Sequence, residues 1–392
     1  MPQVHTPMES AARIRVVGVG GSGKNAINHM VNSKVKGVDF IVVNTDAQDL
    51  QQSSAKTKIH IGKNLTRGLG AGMEPAIGKR AAEETQSEIQ DAVRSSDMVF
   101  IAGGMGGGTC TGAAPIIAKI AKESGALTVA VVTKPFSFEG QQRMRLAEQG
   151  LEELRKEVDA LIIIPNDRLL AVVDQNTTVR SAFAMCDEVL RQAVEGVSDL
   201  IITPGNINLD FADIKAIMED AGSALMGVGL GAGDKRAEEA ARAAINSPLL
   251  DISITGAKGV LLSIAGGEDL GLLEVQAAAS IVTESIDKNA KVIFGTSRDD
   301  RLKKGEVRVT VIATGFPEEP GTGGGRPLFQ LTDKKSKKEK EDERPAHTVM
   351  PAPERDEEAV PPAKREEPKP KPVDEEDDEW GVPAFLRRNR KS

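Results

Sequence analysis

The chain predicts an α/β fold: a Rossmann-like, doubly wound parallel sheet, then a long helix, a smaller α+β domain and a disordered tail. Three observations carry this. Short apolar runs alternate with helical patterns up to about residue 174. Several of these runs are apolar throughout, as expected of strands covered by helices on both faces. Most of them end in Gly, Asn, Asp or Thr, and in such sheets ligands sit where the strands end in loops.

The elements follow in order. After a flexible start at 1–12, residues 13–174 carry six strand candidates: RIRVVGVG, FIVVNTD, KIHIG, DMVFIAGG, LTVAVVTKP and ALIIIPND. The polar loops GVGGSGKN, NTD, GGMGGGTCTG, TKPFSFEG and PND belong to one sheet edge, which suggests a single large ligand. Residues 175–203 read as one helix of about six turns, because Val179, Phe183, Cys186, Leu190, Ala193, Val197 and Leu200 recur three or four apart. A second set of strand candidates, SALMGVGLG, AKGVLLSIAG, KVIFGTSR and VRVTVIATG, defines an α+β domain over 204–316.

Composition then changes. Residues 317–373 hold 11 of the 20 prolines and charge runs such as KKSKKEKEDERP, too little apolar surface to offset chain entropy, so a disordered linker is expected. Hydrophobic residues return at 374–392, where the only Trp (Trp380), Pro383, Phe385 and Leu386 lie between an acidic run and a basic end, as in a docking peptide.

Composition also excludes classes. A net charge of −8 and 3% aromatic residues argue against a nucleic-acid binder. No run reaches the roughly 18–20 apolar residues that span a bilayer, and MPQVHTPMES has no apolar signal region; a soluble, cytoplasmic chain is the expectation. Cys110 and Cys186 form no C-x-x-C, and His5, His29, His60 and His347 are scattered, so no metal site held by these residues is expected.

Two motifs carry chemistry. VVGVGGSGKNAINHM (16–30) places glycines between a strand and a helix, where backbone N–H groups and the positive helix end suit phosphate. Counted as Gly18, Gly20, Gly23 it is a dinucleotide fingerprint, with Asp46 as the acid after the second strand. Counted as Gly18, Gly23, Lys24 it is nearly a Walker A loop, but Asn25 stands where the magnesium-binding hydroxyl belongs. The second motif, GGMGGGTCTGAAP (103–115), can wrap N–H groups around phosphates, with the Thr109 and Thr111 hydroxyls as extra donors.

Gly106-Gly107-Gly108-Thr109-Cys110-Thr111-Gly112 resembles the signature G-G-G-T-G-[ST]-G of the tubulin and FtsZ superfamily. NTDAQDL, TRGLGAG, TKPFSFEGQQR, IPNDRLL and NLDFADIKAIM resemble FtsZ segments in FtsZ order, and VPAFLRR resembles that family's C-terminal docking peptide. The opening loop thereby gains a third reading, the first phosphate loop of an FtsZ-like GTPase.

The resemblance implies a tubulin/FtsZ-like fold and a set of roles. Gly20, Gly21, Gly23, Gly107, Gly108 and Thr109 would cradle the phosphates of GTP or GDP, and Ala71 and Gly72 would lie beside the γ-phosphate. Glu139 and Arg143 would bind the ribose, sharing a helix face; Asn25, Asn166 and Asp187 would read guanine, and Phe183 would stack on it, although Phe183 reads equally well as helix core.

Hydrolysis would draw Asn208, Asp210 and Asp213 from a neighbouring subunit, orienting water and helping to hold Mg2+. Taken alone, D-x-x-D at a helix start reads as an N-cap. A site shared in this way implies a head-to-tail homopolymer, forming the division ring and tied through Trp380–Ser392 to a membrane-tethering division protein rather than inserting into lipid itself. The rival readings are a tubulin-like filament GTPase for DNA segregation or cell shape, and a nicotinamide-dependent oxidoreductase. Cys110, where the signature has glycine, either simply fits as a small residue or, beside a helix N-terminus, carries a reactive thiol of depressed pKa.

Overall fold

The computed structural model describes residues 12–170, 177–202, 207, 209–247, 253–299 and 301–316, all within a compact unit that runs to Thr322. The expected tail, 317–373 and 374–392, lies outside the described residues, as do residues 1–11 and Asn208.

The chain runs β1 (Ile14–Val19), α1 (Gly20–Asn32), β2 (Val38–Asn44), α2 (Ala47–Gln51), β3 (Thr57–His60), α3 (Lys63–Thr66), α4 (Pro75–Glu84), α5 (Gln86–Val93), β4 (Met98–Gly104), α6 (Thr109–Glu123), β5 (Leu127–Lys134), a 3-10 turn (Ser137–Glu139), α7 (Gln141–Glu157), β6 (Ala160–Pro165) and α8 (Asn166–Leu169). Then come α9 (Val179–Ile202), α10 (Phe211–Met218), β7 (Gly222–Ala232), α11 (Arg236–Ile245), β8 (Gly259–Gly266), α12 (Leu272–Thr283), β9 (Lys291–Arg298) and β10 (Glu306–Thr314). All ten apolar runs are strands.

Strands β1 to β6 pair in parallel in the order β3-β2-β1-β4-β5-β6. Their apolar runs are continuous because both faces are covered. In β1, Ile14 and Val16 join the core that contains α1, α9 and α10, while Val17 and Val19 join the core that contains α4 to α7.

One strand has a role that its sequence does not announce. SALMGVGLG is expected within the smaller α+β domain, and β7 in addition pairs in parallel with β6 through Gly222, Ser223 and Ala224 before running antiparallel with β10 further along. It joins the parallel half to β10, β8 and β9, whose core packs α11 and α12. Gly222, at φ +68°, starts the strand in a conformation that a side chain disfavours.

Helix α9 is about 36 Å long at 1.5 Å per residue. Cys186, Leu190, Ala193, Val197 and Leu200 are buried as their spacing requires. Val179 and Phe183 are not, since the first two turns of α9 leave them 70% and 42% exposed.

Candidate functional site

The glycine loops gather at the C-terminal edge of β1 to β6. Here α1 and α6 start without a side-chain cap and without an acidic residue in their first turns. Their first N–H groups therefore lack the partner that Asp46 supplies to α2, where its carboxylate accepts from the N–H of Gln48 and Asp49. Two uncapped helix starts at one sheet edge suit an anion with several phosphates.

The glycines divide by role. A Cβ on Gly23 would strike the Ala102 carbonyl at 2.6 Å, so this glycine lets α1 lie against β4. A Cβ on Gly108 would meet Ala71 Cβ at 2.8 Å, which sets Ala71 and the 66–74 loop against the second glycine loop. Gly20 and Gly72 hold left-handed φ of +71° and +56°. Gly107 has open space where its Cβ would stand, and Gly21 meets only Asp49 Oδ2 at 3.6 Å, so nothing in the fold itself requires glycine at either. Close approach of a ligand to the backbone would.

Thr109 Oγ1 lies 2.7 Å from Thr45 Oγ1 at the start of α6. The expectation for Thr111 needs correction: its hydroxyl is buried and accepts from the Gly106 N–H at 2.9 Å, shaping the loop rather than facing a ligand.

Beside these loops is a cleft of about 180 Å³ lined by Ser22, Asn25, Glu139, Arg143, Asn166, Phe183 and Asp187, with Thr133, Pro135 and Cys186 also in its wall. Six predicted residues meet here. Sequence reasoning did not single out Ser22, Thr133, Pro135 or Cys186, although each adjoins a flagged residue or lies in a flagged loop.

Glu139 and Arg143 do not share one helix. Glu139 ends the 3-10 turn, Gly140 breaks the chain direction at φ +101°, and α7 starts afterwards. The two side chains still meet. Arg143 Nε lies 3.2 Å from Glu139 Oε2, near enough for an ion pair but not aligned as a hydrogen bond.

Among the described residues, the buried side-chain polar atoms left without a hydrogen-bond partner are Arg143 Nε and Asn166 Oδ1. Both residues line the cleft. Such atoms cost stability unless something answers them.

Burial raises the Asp187 carboxyl to about 6, against the opposing charges of His29 and Lys24. Ionised, it accepts paired donors; a guanine ring N–H and exocyclic amine are such a pair, which adenine lacks. Glu188 beside it falls to about 2, because hydrogen bonds from Arg191 and His29 outweigh its burial. Phe183 packs edge-on against buried Phe136, centroids 5.4 Å apart, leaving part of its ring at the cleft.

The two rival loop readings lose their key residues here. The Lys24 ammonium, which a Walker A loop would turn to phosphate, is paired with Asp49. Asp46, which a dinucleotide site would turn to ribose, caps α2. Cys110 lies within α6, 4% exposed, and is absent from the residues of positive φ, so the position needs no glycine conformation. Burial pushes its thiol up to about 12, the opposite of a reactive cysteine.

Asp210 and Asp213 do not line the cleft. Asp210 caps α10, accepting from the Ala212 N–H, and both carboxylates face solvent. Helix α10 leads into β7, which enters the sheet beside Ala160, at the edge opposite the glycine loops.

Parallel sheet, paired phosphate loops, long central helix and a guanine-suited cleft together define a tubulin-like GTPase. The Tubulin/FtsZ family GTPase domain matches residues 13–174, and the FtsZ family C-terminal domain matches 222–317. An FtsZ dimer from M. jannaschii is 48% identical, with a TM-score of 0.76 over 79% of this chain and 89% of that one. CetZ2 from Haloferax volcanii, a GTPγS-bound protofilament, is 22% identical with a TM-score of 0.66 over 77% and 92%, a likeness of fold. The chain belongs to the FtsZ family.

Proposed function

We propose that this chain polymerises head to tail and hydrolyses GTP at each joint, with the nucleotide in the cleft of one copy and Asp210 and Asp213 supplied by the next. The observation that carries this is a separation. Two carboxylates beside the phosphate loops are occupied, Asp46 as a cap and Asp49 by Lys24, whereas the solvent-facing acids of α10 lie away from the cleft.

In the stacked pair, backbone N–H groups of Gly20 to Gly23 and Gly107 to Thr109 hold the phosphates, and Asp187 and Asn166 hold guanine. Asp213 and Asp210 of the next copy orient the attacking water and help hold Mg2+ at the γ-phosphate. Asn208 is proposed to join them. The dimer solved for the M. jannaschii relative supports self-association. A heterologous contact of this kind repeats without closing and gives filaments.

In cells the filaments form the ring at the division site, in the cytoplasm. Trp380–Ser392 ties them to a membrane-tethering division protein. Among the described residues no helix is long and apolar enough to cross a membrane.

The test is light scattering and phosphate release with magnesium and GTP, GDP or ATP across protein concentrations. Scattering with GTP alone, and phosphate release that starts at the same threshold concentration, supports the shared site. Release linear from the lowest concentration, without scattering, contradicts it. Removing Trp380–Ser392 should abolish division in cells while leaving assembly intact; normal division would favour a filament for DNA segregation or cell shape.

A further inference from the structure

A lysine and an aspartate lie beneath the first phosphate loop in an arrangement that neither phosphate binding nor the fold alone accounts for. Lys24, in the second turn of α1, is 7% exposed, and its Nζ lies 2.5 Å from Asp49 Oδ1. The other Asp49 oxygen accepts from Asn44 Nδ2 at 2.8 Å, and it is also the atom nearest to where a Cβ on Gly21 would stand, 3.6 Å away. The Asp49 N–H is bonded to the cap residue Asp46, so its main chain is held as well as both carboxylate oxygens.

A carboxylate is thus fastened against the backbone of a loop built to receive phosphates. Two like charges a few ångströms apart in a partly buried site repel strongly, and a triphosphate carries several. A buried lysine is costly to keep unless a partner answers its charge. Each residue makes sense in the presence of the other.

We propose that Lys24 and Asp49 are a charge-compensating pair: Lys24 is a positioning residue that cancels the carboxylate beside the phosphates, and Asp49 holds the lysine off the phosphates. This rests on the guanine-nucleotide reading of the cleft. The bridge ties α1 to α2 and keeps the N–H groups of Gly20 and Gly21 open to the ligand.

The experiment is competition binding of GTP, GDP and guanosine against fluorescent GDP, on the full chain and its variants Lys24→Met, Lys24→Arg, Asp49→Asn and the Met/Asn double variant. Thermal unfolding is measured alongside. Lys24→Met leaves Asp49 uncompensated and should weaken GTP more than tenfold, GDP less, and guanosine within twofold of the parent chain. The double variant should return GTP to within threefold, Lys24→Arg should stay near the parent, and Asp49→Asn, which is isosteric, should bind GTP at least as tightly as the parent.

Equal loss of guanosine and GTP in Lys24→Met would make the lysine a structural prop and overturn the proposal. So would a double variant as weak as Lys24→Met, because Lys24 would then grip phosphate itself. A tenfold loss in Asp49→Asn would overturn it even if Lys24→Met did not fold. Failure of the parent chain to bind any of the three would instead sink the nucleotide reading.

Discussion

The cleft at the nucleotide edge and the seam between α9 and the β9–β10 end of the molecule handle buried polarity in opposite ways. At the seam, charge answers charge: Arg191 pairs with Glu188 and Glu195, Glu195 with Arg301, and Asp299 with both Arg301 and Arg308. At the edge, Arg143 Nε and Asn166 Oδ1 have no hydrogen-bond partner, and two helices begin uncapped. The difference separates structure from function. Polar groups satisfied from within hold the fold together, and those left open mark what the molecule binds.

The sharpest way to break this comparison is to cut once in each region. Asp187→Ala removes the carboxylate proposed to meet guanine and should weaken GTP by on the order of 10²–10⁴-fold, from two charge-assisted hydrogen bonds at about 1.5–3 kcal/mol each. The nucleotide-free fold should hold, and titration calorimetry with a melting curve checks both. Arg191→Met does the reverse. It takes from Glu195, whose side chain is 4% exposed, one of its two arginine partners, Arg301 remaining, and should cost about 1–3 kcal/mol in denaturant unfolding, with GTP affinity at 25 °C changed less than threefold. If Arg191→Met mainly weakened GTP, the seam would be part of the site.

Much of this contrast was legible in the sequence, though not all of it. The strands were legible because short apolar runs, several of them unbroken, alternate with helical patterns, and the cleft residues because their segments resemble those of a known family. The bridging role of β7 was hidden, since GSALMGVGLGA reads identically whether its start pairs with β6 or stands apart. The break between Glu139 and Arg143 depended on one left-handed glycine, Gly140. Lys24 and Asp49 meet across 25 residues, and no local pattern joins them. Phe183 fits helical spacing, but its turn of α9 extends beyond the core.

Smaller effects sharpen the same point. The Asp187 carboxyl is raised by burial from 3.8 to about 6 in the folded, empty cleft. Its folded form holds the proton more tightly than the unfolded chain, so this group's contribution to stability falls as pH rises from about 4 to 6 and stays low above that. Guanine requires the ionised form, so GTP affinity should fall as pH drops below 6, approaching tenfold per unit. Asp187→Asn should therefore melt higher than the parent at pH 7.5 without nucleotide, with the difference gone near pH 4. Affinity independent of pH between 5 and 7 would remove Asp187 from the base contact.

The smallest effect concerns Cys110. Its thiol, buried against Met105 and raised to about 12, should resist iodoacetamide at pH 7.5 in the native protein and react once the chain is unfolded. Rapid native labelling would mean that the start of α6 opens in solution.

The central claim is that the open groups of one copy meet the acids of another, and mixing two damaged proteins tests it most directly. Asp213→Ala keeps the cleft and lacks an acid; Asp187→Ala keeps the acids and lacks a guanine contact. Each alone should release phosphate from GTP at a small fraction of the parent rate. Mixed in equal amounts, they should recover a substantial part of that rate, because the Asp187→Ala copy offers its Asp210 and Asp213 to GTP held by the other. A mixture no faster than the sum of its parts would show that the acids of α10 do not act across the joint.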